Sequence, residues 1–247
     1  SLVGELSNIF SVLREKRKKL DPPTKDDKII TSWNTMAIQA FAEAGLFLGQ
    51  ETYLNAAKDA LNFLLAHLQN RNGTIMRSWS RGNASNQGTL ADYAGLISAL
   101  RAVYEIDFSP SIFAKMREIY RMMHSAFKGD GHLYFDTHIS LYDLLLRPRN
   151  LQDNATPSGN ALAAYAHWLV AQYDHDKQHK EQFEKMVNIV YTQARDYPFG
   201  FGYWLQIADL IQRPAQQVAL VSKGSVETIE PFLQIYRRKF RPDSVIV

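Results

Sequence analysis

The chain has 247 residues, 46% of them hydrophobic and 12% aromatic, enough to bury a large core in one or two domains. Its 28 basic residues against 25 acidic ones leave a net charge of +3, which excludes a strong electrostatic attraction to nucleic acid. The absence of cysteine excludes a disulfide scaffold, a thiol nucleophile and every cysteine-based metal site. No run approaches 18 consecutive apolar residues and no signal-peptide pattern opens the chain, so it reads as a soluble, cytoplasmic protein with no membrane partner. It starts at Ser1-Leu2, without Met and directly in a helical pattern, which reads as a piece of something longer.

Apolar residues recur at three- and four-residue steps over 2–13, 33–48, 53–68, 90–106, 112–127, 161–173 and 183–194, which predicts helices. The helices fall into pairs. The first pair opens at Thr31, turns at Gly49-Gln50 and runs to about Asn70. The second opens near Thr89, turns at 107–110 and ends near Gly129. The third opens at Thr156, turns at 174–178 and ends near Asp196; a further first helix covers about 201–211. Openings at 31, 89 and 156 lie roughly 60 residues apart, the spacing of a repeated helical hairpin. The connections 71–88 and 130–154 carry aromatic and β-branched residues beside glycine at 74–79 and 132–136, which predicts short β-hairpins. Long structured loops recurring at one end of every pair are where function concentrates. Past residue 213 the pattern changes to a strand at 217–221, a helix at 225–240 and a strand at 245–247. The organisation is therefore a helical body over 1–213 and a small strand–helix–strand piece over 214–247. A helix start at Gly224-Ser225 offers backbone amides to an anion, but a plain cap on the helical body is the preferred reading.

The helix openings share one habit: small or polar residues, then an aromatic or amide, then apolar helix. Thr89 with Asp92 fits a capping box, and Thr156 followed by Pro157 fits an N-cap with proline at the first helical position. Capping accounts for Thr31, Thr89, Thr156 and Pro157. It leaves Trp33, Asn34, Tyr93 and Asn160 unexplained, since these are large or polar and lie within the helices. If successive first helices are the inner staves of a ring, those side chains point into one end of its cavity.

Arg14-Glu15-Lys16-Arg17, Pro23, Asp26-Asp27-Lys28 and Ser32-Trp33-Asn34 resemble a block of the thioredoxin-domain-containing, spermatogenesis-associated protein family. Leu90-Ala91-Asp92-Tyr93-Ala94 and the Thr156-Pro157-Ser158-Gly159-Asn160 segment with Asp153 resemble its next two blocks, so the similarity runs along nearly the whole chain in order. The resemblance implies an all-α (α/α) toroid of the six-hairpin glycosidase class, here incomplete, with about seven or eight helices. The family's thioredoxin-like domain and its Cys-x-x-Cys are absent from this sequence. Matching the blocks carries over Asp27, Lys28, Trp33, Asn34, Asp92, Tyr93, Asp153, Ser158 and Asn160 as site residues. Thr35 stands where relatives often have glycine, Asn154 where they have glycine after Asp153, and Ala91 where they have an acidic residue. The Ala91 change bears against a carboxylate-pair mechanism.

Glycoside hydrolysis needs two carboxylates, about 5–5.5 Å apart for retention or roughly 6.5–9.5 Å for inversion. Asp27, Asp92 and Asp153 are the catalytic candidates, with Lys28, Trp33, Asn34, Tyr93, Ser158 and Asn160 as substrate-binding residues. Trp79, Tyr203 and Trp204 are further stacking platforms. A sugar epimerase commonly uses histidine as its base, and the blocks contain none. His175 and His179 have i, i+4 spacing but lie in a polar turn and read as solvated surface; His67, His124 and His167 read as structural. No metal and no cofactor is expected. The expected partners are a saccharide or small-molecule ligand and either a second copy or a preceding part of the same protein. The rival reading is a non-catalytic scaffold or partner-binding module working with a thioredoxin-like domain.

Overall fold

The computed structural model describes residues 2–141, 143–213, 215–223, 228–239 and 241–247. Helix α1 (Leu2–Lys18) has the apolar spacing of an amphipathic helix, and Lys16, Arg17 and Lys18 in its last turn complement the helix dipole. None of its residues is buried.

Three hairpins follow: α2 (Thr31–Leu48) with α3 (Glu51–His67), α4 (Leu90–Asp107) with α5 (Pro110–Phe127), and α6 (Gly159–Asp174) with α7 (Lys177–Asp196). Helix α8 (Gly202–Gln212) begins the next repeat after a short 3-10 turn at Pro198–Gly200. Helices α2, α4, α6 and α8 pack side by side as an inner layer, and α3, α5 and α7 lie outside them. Composition sorts the two layers. Helix α4 is buried almost all round and is rich in Ala, Leu and Ile, whereas α5 and α7 bury one stripe and turn charged residues outward. Gly49 ends α2 in the left-handed conformation that glycine adopts freely, and Pro110 starts α5 where its missing N–H costs nothing. Close contact of the inner staves is enforced at Gly95, where any Cβ would collide with Oγ1 of Thr35. The outer edge of α2 exposes Trp33, Phe41 and Leu48.

Strands β1 (Ile29–Ile30), β2 (Met76–Ser80) and β3 (Asn83–Gln87) form an antiparallel sheet in that order, with Ile29 opposite Trp79 and Ser78 opposite Ser85. Arg81 and Gly82 both have positive φ, 50° and 85°, as a two-residue hairpin turn matching the strand twist requires. The second expected hairpin, at 132–136, is not formed. Only an isolated bridge joins Lys128 to Tyr134, because the Asn160 side chain takes both polar groups of the Tyr134 backbone.

One helix start and one capping role also differ from expectation. Helix α6 begins at Gly159 with Ser158 as its cap, not at Thr156: Asp153 accepts the Ser158 N–H at 2.8 Å, and the residue before a proline resists helical geometry. Thr31 is the first residue of α2 rather than its cap, and its hydroxyl donates to the Met76 carbonyl at 2.6 Å, fastening α2 to the sheet.

Strands β4 (Gln216–Val218) and β5 (Ser244–Ile246) pair in parallel, with α9 (Glu230–Tyr236) between them in sequence. Helix α9 is shorter than the expected 225–240, and the proposed anion site at Gly224-Ser225 lies outside the described residues. Val245 joins the same core as the inner helices. Among the described residues, no helix is long and apolar enough to cross a membrane.

Candidate functional site

At the N-terminal end of the inner helices, sequence-predicted site residues fasten the staves. Asp92 is fully buried. Its Oδ2 accepts the Thr89 N–H at 2.8 Å and the Thr89 hydroxyl at 2.9 Å, completing the expected capping box. Its Oδ1 accepts the Ser32 N–H of α2 at 2.9 Å, so one carboxylate caps two neighbouring helices, with Arg77 Nη1 at 3.6 Å. Asp153 repeats the device: Oδ1 accepts from Ser158 at the start of α6, and Oδ2 accepts the Tyr203 N–H of α8 at 2.8 Å. In both, a carboxylate sits where unsatisfied amides and the helix dipole favour negative charge.

The remaining residues at this end are equally committed. Asn160, fully buried, accepts the Tyr134 N–H at 2.8 Å and donates to the Tyr134 carbonyl at 3.0 Å. Buried Tyr93 accepts the Ile75 N–H at 3.0 Å, while its ring meets Phe127 edge-on. Ser158 caps Ala161, and Asn34 donates to the Ile30 carbonyl. Asp27, Lys28 and Trp33 lie outside this network. Asp27 accepts from Ser80 at 2.7 Å, with Arg81 at 3.4 Å; the Ser80 hydroxyl is the main cause holding its pKa below the usual value. Lys28 pairs with Asp26, and Trp33 is 60% exposed. No hydrogen bond joins Asp27, Asp92 and Asp153 to one another among the described residues.

A concavity lined by charged side chains lies toward the opposite end of these helices. A cavity of about 340 Å³ opens between α2, α4, α6 and α8 and is roofed by the C-terminal piece; none of the nine block residues lines it. At its centre the Arg101 guanidinium, 8% exposed, is held between two carboxylates, Glu43 at 2.6 Å and Glu105 at 3.1 Å. Gln39 donates to Glu43 at 2.9 Å. Arg237, the C-cap of α9, donates to the Glu105 carbonyl at 2.8 Å, drawing the C-terminal piece over the end of α4. Burial opposes the charge on Arg101, but Glu105 and Glu43 outweigh it and hold its pKa well above the usual value. Burial raises the pKa of Glu105, and Arg101 offsets part of that rise. Tyr165 and Tyr203 line the same space with their rings 6.4 Å apart, edge to face. Nε of Arg101 is buried without a hydrogen-bond partner among the described residues.

Of this set, the sequence reading had singled out only Tyr203. The signal for Arg101 and Glu105 is their spacing of four residues in a largely apolar helix, where a buried charge persists only if it is paired. Among the described residues, no group of three His, Asp or Glu side chains is arranged to hold a metal ion.

Parallel inner staves, outer return helices and a polar cavity on the inner side define a six-hairpin, glycosidase-like (α/α) toroid fold. Solved structures bear this out. Cellobiose 2-epimerase from Bacillus thermoamylovorans superposes with a TM-score of 0.57 at 15% identity, over 69% of this chain and 46% of its own. D-mannose isomerase gives 0.56 at 19% identity, over 68% and 42%. The GH76 α-mannanase of Bacteroides thetaiotaomicron gives 0.55 at 16% identity, over 69% and 47%. No family model matches the chain. In sequence, it is similar to spermatogenesis-associated protein 20: the Homo sapiens protein is 23% identical over 257 residues, covering 98% of this chain and 32% of its own. The Rattus norvegicus protein is 23% identical over 254 residues, covering 95% and 31%. The chain thus spans about a third of the length of these curated relatives.

Proposed function

We propose that this chain binds a carbohydrate or sugar-like small molecule in the cavity between the inner helices, centred on Glu43, Arg101 and Glu105. The observation that carries this reading is the Glu43–Arg101–Glu105 charge cluster, which lines the cavity together with Tyr165 and Tyr203. A sugar hydroxyl fits because it both donates and accepts: it gives its proton to Glu43 or Glu105 and takes one from Arg101. The tyrosine rings supply apolar faces for the carbon skeleton. The two carboxylates differ in environment, Glu105 having the less exposed side chain and a pKa raised by burial, which favours it as the proton donor of the pair. The likeness in fold to a cellobiose 2-epimerase and a D-mannose isomerase supports the substrate class.

The test is a monosaccharide and disaccharide panel that includes cellobiose and D-mannose, read by calorimetry. The expected result is saturable binding by at least one sugar that Glu43→Gln weakens about tenfold, the cost of one charged hydrogen bond. A panel with no binding, or binding indifferent to Glu43→Gln, overturns the proposal.

A further inference from the structure

On the outer side of α6, away from the Arg101 cavity, three histidines and two tyrosines form an unbroken hydrogen-bonded chain. His124 Nδ1 meets the Tyr134 hydroxyl at 2.7 Å, and that hydroxyl meets His167 Nε2 at 2.6 Å. His167 Nδ1 meets the Tyr120 hydroxyl at 2.8 Å, which meets His179 Nδ1 at 3.0 Å. His167 is fully buried, and burial depresses its pKa to about 3, so it is neutral at ordinary pH. The chain borders a cavity of about 330 Å³ that His124, His132, His179 and Lys128 also line.

Proton counting fixes how this chain can be arranged. Four links need four protons. Each tyrosine supplies one and neutral His167 supplies one, so one terminal histidine supplies the fourth from its Nδ1. Two directions satisfy this, and the charges at the ends choose between them. Asp176 Oδ2 lies 3.8 Å from His179 Nε2, which favours a proton on that nitrogen and leaves Nδ1 to accept from Tyr120. Tyr120 then accepts from His167, His167 from Tyr134, and Tyr134 from the Nδ1–H of His124. Nε2 of His124 is thereby left as a bare lone pair, with no hydrogen-bond partner among the described residues. Lys128 nearby disfavours protonation of His124, after burial as the main cause, and makes no ion pair among the described residues.

We propose that this second cavity binds a small oxyanion that still carries a proton, of the dihydrogen phosphate type. The ligand's O–H donates to His124 Nε2, and its charge faces Lys128. The site is independent of the Arg101 cavity and uses none of its residues.

Inorganic phosphate and sulfate at pH 6 separate this proposal from simple charge attraction, because sulfate has no proton to donate. The expected result is saturable phosphate binding at least tenfold tighter than sulfate binding, weakened at least tenfold by Lys128→Met. Equal affinity for the two anions, or no binding of phosphate, overturns it. Long-range nitrogen–proton NMR on the unmodified protein supplies a test that no folding defect can obscure. The expected spectrum has the His124 proton on Nδ1 and the His179 proton on Nε2; a proton on Nε2 of His124 overturns the relay. Tyr134→Phe, where it folds, returns His124 to the Nε2–H form and abolishes the preference for phosphate; retention of that preference also counts against the relay.

Discussion

The two ends of the inner helices carry comparable numbers of polar side chains and use them in opposite ways. At the N-terminal end, Asp92, Asp153, Asn160 and Tyr93 hold backbone amides in place, each with its partners inside the protein. Toward the C-terminal end, Arg101 sits between Glu43 and Glu105 beside open space with one nitrogen unpaired. The difference separates two jobs of a buried polar group. One enclosed among backbone amides specifies how staves join, and one that lines a cavity is where the proposed ligand would meet the protein.

Four substitutions or titrations break or sharpen that contrast. Among the substitutions the largest effect is expected from Asp92→Ala, which strands the Ser32 and Thr89 amides and the Thr89 hydroxyl in the interior. Chemical unfolding should show a loss of about 4 kcal/mol, while residual folded protein keeps its saccharide affinity. Loss of affinity without loss of stability would move Asp92 from fastening to binding. Next comes Gly95→Ala, which forces α4 away from Thr35 and should cost about 2 kcal/mol, part of it recovered in the Thr35→Ala background.

A third test titrates the committed groups around His167. Its folded pKa, about 3, lies below the ordinary 6.5, so between those values the unfolded chain binds the extra proton. Stability should therefore fall as pH drops from 6.5 toward 3, by up to about 1.4 kcal/mol per pH unit, and urea midpoints across that range measure it. A flat profile, or one rising toward acid, would contradict a neutral buried imidazole. The smallest stability change is expected from Glu43→Gln, within about 1 kcal/mol, because Glu43 is partly exposed and its loss leaves Arg101 paired with Glu105. Its expected signature is the tenfold loss of saccharide affinity alone.

The hairpin repeat was legible because an apolar period and a change of composition at each turn are local signals. The turns at Gly49-Gln50 and at Pro110, and the capping box of Thr89 with Asp92, were read at the residues where they occur. The start of α6 was misplaced because Thr156-Pro157 imitates a cap, while the true cap, Ser158, depends on an Asp153 contact that spacing does not reveal. His179, read as solvated surface, is half-buried against Tyr120 for the same reason: its partner lies 59 residues away. In the hairpin expected at 132–136, the Tyr134 backbone groups are taken by Asn160, a partner 26 residues distant. The proposed site is harder to read in the sequence than the fold. Block residues at helix openings look functional in sequence because they are polar and recurrent, and recurrent stave joints are polar and recurrent too. Arg101 and Glu105 were hidden inside an apolar helix, where only the fold shows that they face a cavity.

The most direct measurement follows the Arg101 Nε–H resonance by NMR while a saccharide identified on the panel is titrated in. A ligand held between the inner helices shifts that resonance saturably, together with signals of Tyr165 and Tyr203, and leaves the Trp33 indole unmoved. Saturable shifts at Trp33, Lys28 and the β1–β2 edge, with Arg101 silent, would place binding at the other end of the staves and contradict the account.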